Sequence, residues 1–482
     1  MEKLPADFLF GVGCSDHQCE AYDSAYPPDV WDWWEQDGKV PQSRGQAVDF
    51  WNRYPEHLRL AHELGCTTFR FSIAWARVEP SPGVFDPAVL QHYAELAAAA
   101  REQGMEPIVT LCHYVWPMHL ERAGGLASAD FPGRFAAYAR RVRDALSPHV
   151  RYWITFNEPN DLVVSHSQFQ SRFPPNSPTW TSFRDQMRGM EVLIRNIFLA
   201  NRDARAVLHD VPSGPSAMVG MNTDLRGFPV GVRRLLNWWV TRYHQSAHHV
   251  RNIVGAIVPR RSTETLKPGP LNFLRTLVML FDGDWSELGA LGRLPRHLCP
   301  EGCANQLDYL AFDWYYGVRW VWDILKLTSS LDGHFERSPV YSPGLFETLR
   351  YFDRLFKAAN PPAGKPIFIM ENGSVDQPGA YQHLGEIPPP GVVDRAQYLR
   401  DHVRQIQRAR AAGVNVIGYC AWSLTSNREW GLRFSPGTDF GLYNIDLDND
   451  PGLFDRTLPL TMKASPAVEA FREIIARRGV EV

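Results

Sequence analysis

Nowhere in the 482 residues does an apolar run approach the ~18 needed to cross a bilayer, and the opening MEKLPADFLFG has no long apolar core of the kind that marks a secretory leader. The expectation is a soluble, cytoplasmic protein without a membrane partner. An excess of charge of either sign is also missing: 50 basic residues stand against 53 acidic ones, a net of −3. That balance offers nothing to a nucleic-acid backbone. The seven cysteines contain no C-x-x-C pair, and CPEGC at 299–303 has no Cys/His pair downstream at zinc spacing, so reduced thiols and no structural metal are expected. Linker-like and low-complexity stretches are absent too, which favours one domain over residues 1–482. Aromatic residues, by contrast, are plentiful: 16 Trp, 17 Tyr and 26 Phe. Most would fill a core, although indole faces also stack on the C–H faces of sugars. Composition alone does not choose between these uses.

Short apolar runs rich in β-branched and aromatic residues recur along the chain: FLFGVG (8–13), TTFRFSI (67–73), PIVTLCH (107–113), YWITFNE (152–158), SAMVGMN (216–222), YLAFDWYY (309–316), PIFIMEN (366–372) and VIGYCAWSL (416–424). Helical stretches separate them. Asp86-Pro87 opens one that stops at Gly104, and Asp394 caps another that stops at Gly413. Phe131–Leu146 and Glu347–Ala359 have helical apolar spacing as well. Eight strands alternating with helices, without a glycine-rich phosphate loop, predict a (β/α)8 TIM barrel, an α/β fold. The stretch 225–305 and the loops 170–180 and 386–392 are expected as elaborations around it.

Two of these strands close on one carboxylate. YWITFNE ends at Glu158 beside Asn157, and PIFIMEN carries Glu371 beside Asn372. Barrel active sites are built at the C-terminal ends of the strands, so both acids are predicted to face one cavity despite their distance in sequence. Paired carboxyls are the equipment for cleaving a glycosidic bond, one as proton donor and one as nucleophile or base. Arg70, on the second strand, is a candidate cation for Glu371. A lone glutamate is more often a salt bridge or a cap; two in the same setting weaken that reading.

With these motifs in view, the chain resembles glycoside hydrolase family 1, the β-glucosidase and β-galactosidase family, from FLFGVGCSDHQCEA to DFGLYNIDL and least between 225 and 305. TFNEP is similar to the family's acid/base motif and IMENG to its nucleophile motif. The resemblance therefore implies Glu158 as acid/base, Glu371 as nucleophile and Asn157 on the sugar 2-hydroxyl. It implies Arg70 and Tyr315 as supports of the nucleophile. Gln18, His113, Trp422, Glu429 and Trp430 match positions that grip the glycone. Three places depart from the pattern: Tyr114 stands for a usual Trp, Asp313-Trp314-Tyr315 for N-Y-Y, and Ser426 and Arg428 alter the segment before Glu429. The expected activity is a retaining β-glycosidase on a small β-glycoside or oligosaccharide, needing no cofactor or metal. A specialised natural-product deglycosylase or transglycosylase is the alternative, and a non-catalytic sugar-binding relative is a third reading. A 6-phosphoglycosidase is disfavoured because Glu429 would repel the phosphate. Oligomeric state, homo-oligomer included, is left open.

Overall fold

The computed structural model describes residues 2–159, 161–163, 183–211, 214–225, 306–317, 340–357, 364–375 and 394–481, together with 303, 335 and 338. The expected loops 170–180 and 386–392 lie outside the described residues, as does 225–305 apart from Leu225 and Cys303. Eight parallel strands close into a barrel in sequence order: β1 (Leu9–Gly13), β2 (Thr68–Ser72), β3 (Glu106–Cys112), β4 (Tyr152–Asn157), β5 (Met218–Asp224), β6 (Leu310–Asp313), β7 (Ile367–Asn372) and β8 (Val416–Ala421). Each falls within or beside a run predicted above. The runs at 309–316 and 416–424 prove longer than their strands, because the polar and aromatic residues after Asp313 and Ala421 turn out of the sheet to form the barrel mouth.

The helices follow from local chemistry. Asp86 accepts from the amides of Ala88 and Val89, and Pro87 supplies the first helical residue of Pro87–Glu102. Asp394 accepts from the amide of Gln397 to open Arg395–Ala411. Phe131–Leu146 is helical throughout, whereas the helix expected from Glu347 begins four residues earlier, at Pro343, and runs to Lys357. Among the described residues no helix is long and apolar enough to cross a membrane. Six of the seven cysteines are described, and all six are buried free thiols.

Strand packing decides where polar side chains emerge. Inside the barrel Ile108, Tyr152, Ile154, Tyr309, Ala311, Phe368, Met370 and Cys420 form a cluster separate from the larger core beneath the helices. Strand alternation from Ile154 would send Asn157 to the outer face, and alternation from Met370 would do the same to Glu371. The register shifts between Ile154 and Asn157 on β4, and next to Glu371 where β7 meets β6 and β8. Such irregularities re-aim a side chain at a barrel rim. They are what bring these two residues inward.

Closure also needs close backbone approach. A Cβ on Gly11 would stand 2.4 Å from the carbonyl oxygen of Thr68, and one on Gly418 would stand 2.4 Å from the Phe368 ring. Backbone in a closed sheet cannot give way as a side-chain tip can. Gly11→Ala should therefore destabilise the fold by about 1–3 kcal/mol through overpacking, read as a lower urea midpoint at unchanged slope. An unchanged midpoint would mean that β1 and β2 separate without cost.

Candidate active site

At the heart of the barrel is Arg70 of β2, 0% exposed. A guanidinium has five donors and no acceptor, so a buried one must be surrounded by oxygens. One amino group donates to Glu371 Oε1, and the other donates to Asn157 Oδ1 at 2.6 Å. The Nε–H donates to Thr110 Oγ1 at 3.1 Å. Burial pulls the Arg70 pKa down, but Glu371 and Asp313 more than offset it, so the charge is firmly held. The other oxygen of Glu371 accepts from the Tyr315 hydroxyl at 2.6 Å. Burial, Glu371 and Asp313 push the Tyr315 phenol well above its ordinary range, which keeps it a neutral donor.

Asn157 links this centre to β3. Its Oδ1 also accepts from Asn222 at 2.6 Å, and its Nδ2 lies 2.9 Å from His113 Nε2. Arg70 can only donate, which settles the orientation of the Asn157 amide. Burial and the Arg70 charge push His113 well below its usual pKa, so the ring is neutral. Its Nε2 then accepts from Asn157, and its Nδ1–H donates to Ser72 Oγ at 3.0 Å.

Glu158 sits just past β4, where a residue before proline is ordinarily extended. It instead has φ +37°, and Tyr114, across the mouth, has φ +67°. Both conformations are costly for residues with a side chain and persist only where the surroundings enforce them. The Tyr114 hydroxyl donates to Glu158 Oε2. The indole N–H of Trp31 donates to the Tyr114 carbonyl at 3.1 Å, and the Trp430 ring meets the tyrosine edge-on at 5.3 Å. Oxygens of Glu158, Glu371 and Asp313 all lie within 4.8 Å of one another.

The sugar-gripping candidates Gln18, His113, Trp422, Glu429 and Trp430 follow β1, β3 and β8. The rings of Trp422 and Trp430 each lie 5.9 Å from His113, and Trp422 is buried with Tyr315 and Phe440. Glu429 is half-buried and immediately precedes Trp430. Gln18 donates to the Arg428 carbonyl at 2.9 Å and accepts from Ser15 Oγ at 2.8 Å, tying the first loop to the eighth. Two of the departures are engaged with neighbouring loop residues. Ser426 Oγ donates to Asp439 and accepts from the Ile445 amide, while Arg428 pairs with Asp448 at 2.7 Å.

Several supporting residues escaped sequence reasoning. Asn222 ends the predicted run SAMVGMN, so the strand-end argument that found Glu158 also applies to it. Ser72 ends β2 one residue before the predicted run does, whereas Thr110, a small hydroxyl inside β3, carries no comparable signal. Nor does His17, which stacks at 5.9 Å beneath Trp430 and contacts Asp29 and Glu35 at 3.0 Å each. Despite burial and Arg44, those two carboxylates raise His17 to about 9. Among the described residues two groups have the spacing of metal ligands: Glu158, Asp313 and Glu371, and His17, Asp32 and Glu35. Each already faces a buried guanidinium, Arg70 in the first and Arg44 in the second.

The profile of Glycosyl hydrolase family 1 matches residues 1–227 and 338–479. This chain is a member of glycosyl hydrolase family 1. Beta-glucosidase 25 of Oryza sativa subsp. japonica is 25% identical over 98% of this chain and 94% of its own. Aryl-phospho-beta-D-glucosidase BglC of Bacillus subtilis (strain 168) is 27% identical over 94% of each. The beta-glucosidase from Thermotoga maritima in complex with cyclophellitol superposes at a TM-score of 0.71, with 20% identity, over the whole of both chains. The barrel found here is thus the fold of that family-1 enzyme.

Asp313 is the unusual group in this family-1 site. Its Oδ2 accepts from Asn222, and it pairs in register with Glu371 on the neighbouring strand. Burial, then the charges of Glu371 and Glu158, push its carboxyl well above the usual range, outweighing Arg70. Below about pH 4 the unfolded carboxyl is protonated too, and Asp313 costs nothing. Above that the folded chain retains a proton that the unfolded chain gives up, so this contribution to stability falls as pH rises. Asp313→Asn removes the dependence. Its melting temperature should match wild type near pH 4 and exceed it at pH 7, by an amount corresponding to about 1 kcal/mol or more. An advantage at pH 4 that vanishes at pH 7 would mean that Asp313 is ionised in the folded protein.

Proposed function

We propose that the protein is a retaining β-glycosidase that hydrolyses terminal β-linked glucosyl or related residues of small glycosides. The observation that carries this reading is the spacing of Glu158 and Glu371, whose oxygens lie within 4.8 Å. Inverting enzymes hold their carboxyls about 6.5–9.5 Å apart to admit a water, and retaining ones about 5–5.5 Å. In the first step a Glu371 oxygen forms a bond to the anomeric carbon as the glycosidic C–O bond breaks. Glu158 gives its proton to the departing oxygen. In the second step Glu158, now a carboxylate, takes a proton from water as that water displaces Glu371. Two inversions return the original β configuration. Arg70 and Tyr315 hold the two oxygens of Glu371 from behind and so fix the direction of attack.

The Bacillus relative named for a phosphorylated glucoside is as similar in sequence as the plant enzyme, so identity does not separate the two substrate classes. Glu429 supports the unphosphorylated sugar, because a carboxylate there would face the 6-phosphate. Six buried unpaired thiols support a reducing, cytoplasmic setting.

Glu371→Ala should abolish turnover of a nitrophenyl β-glucoside, and azide should restore it by attacking from the vacated side. Glu158→Ala should slow a substrate with a poor leaving group by about 10²–10⁴-fold while sparing a dinitrophenyl glycoside in the first step. Equal losses on both substrates would remove Glu158 from the acid's role. Turnover confined to the 6-phosphate would overturn the assignment of the glycone.

A further inference from the structure

The geometry points to Tyr114 as a positioning residue for the acid/base: its hydroxyl holds Glu158 at the barrel mouth and favours the ionised form needed for the second half of the reaction. This rests on the assignment of Glu158 as acid/base made above. Tyr114 is buried, and its backbone is held in the left-handed region, where a bulky residue is an outlier. Its contacts keep it there. Trp31 donates to its carbonyl, Trp430 packs edge-on against its ring, and its hydroxyl reaches Glu158. An indole at this position could not reproduce the last contact in the same way. Its single N–H lies on the ring edge, whereas a phenol presents its O–H at the tip of the ring.

The direction of the effect follows from the charges around Glu158. Asp313 of β6 and Glu371 of β7 lie within 4.8 Å of it, and the Tyr315 phenol follows β6. Negative charge on either of the first two opposes ionisation of Glu158. Arg70 of β2 is engaged by Glu371 and Asn157, and His113 of β3 is neutral. Tyr114 works against such charge, since a hydroxyl that donates to a carboxylate favours its charged form. The two steps make opposite demands on Glu158. Leaving-group departure needs its proton; water attack needs it ionised. A donor that eases ionisation lets the group serve both steps in one pH range.

Tyr114→Phe keeps the ring and its contacts and removes the hydroxyl. For a glycoside with a poor leaving group, the alkaline limb of kcat/KM should rise by about 1 pH unit, because Glu158 keeps its proton longer. For a dinitrophenyl glycoside, whose kcat reports the second step, the acid limb should rise by a similar amount, because the base ionises later. Tyr114→Trp should behave like Tyr114→Phe. A merely structural role predicts a uniform loss of rate with neither limb displaced, and that result would overturn the inference while leaving the glycosidase reading intact. If the wild type shows no alkaline limb that depends on the leaving group, the acid/base assignment of Glu158 fails and this inference fails with it. Should Tyr114→Phe not fold, the limbs are compared in a protein carrying 3-fluorotyrosine. Its more acidic hydroxyl is a stronger donor, so both limbs should move to lower pH; unmoved limbs would count against the role.

Discussion

A guanidinium fully removed from water must be neutralised, and in this protein the Arg70–Glu371 contact does so inside a closed barrel. Losing one partner from such a pair leaves an uncompensated buried charge, which commonly costs about 3–5 kcal/mol. Four more strands are drawn into the arrangement. Thr110 and His113 come from β3 or its end, Asn157 from β4, Asn222 from β5, and Asp313 with Tyr315 from β6 and the residues after it. Satisfying the donors of one arginine therefore also orders the groups proposed to meet a substrate. Stability and chemistry share one network.

Environment separates acids that are chemically alike. Glu371 has a cation and a phenol on its two oxygens, Asp313 has an amide, and Glu158 has a phenol at the mouth. Three carboxyls within 4.8 Å facing one arginine cannot all carry charge cheaply. Asp313, the most enclosed of the three, is the one that keeps its proton. A family-1 site normally has a neutral amide there by resemblance; a protonated acid reproduces that neutrality until the pH rises.

Much of this was legible in the chain itself. The eight apolar runs, the Asp86 and Asp394 caps and the glycines after their helices expressed local propensity, which needs no tertiary information. Glu158 and Glu371 were legible because strand ends in a barrel converge. The inward turn of Asn157 and Glu371 was not, since alternation alone sends them outward and register shifts reverse it. Ser426 and Arg428 read as changes to the sugar pocket because they sit between Trp422 and Glu429. Their side chains instead bind Asp439 and Asp448, a matter of loop packing over long range. The contact from Tyr114 to Glu158 depends on two residues with positive φ, which no propensity scale anticipates for tyrosine or glutamate.

The central claim is that Glu371 forms a covalent bond to the sugar. A 2-deoxy-2-fluoro-β-glucoside with a dinitrophenolate leaving group slows both steps but keeps the first fast enough for the intermediate to accumulate. After incubation, mass spectrometry of the intact protein should show the gain of one fluoroglucosyl group, and peptide mapping should place it on Glu371. A label on Glu158 or Asp313, or an unlabelled enzyme that still turns over the parent glucoside, would contradict the account.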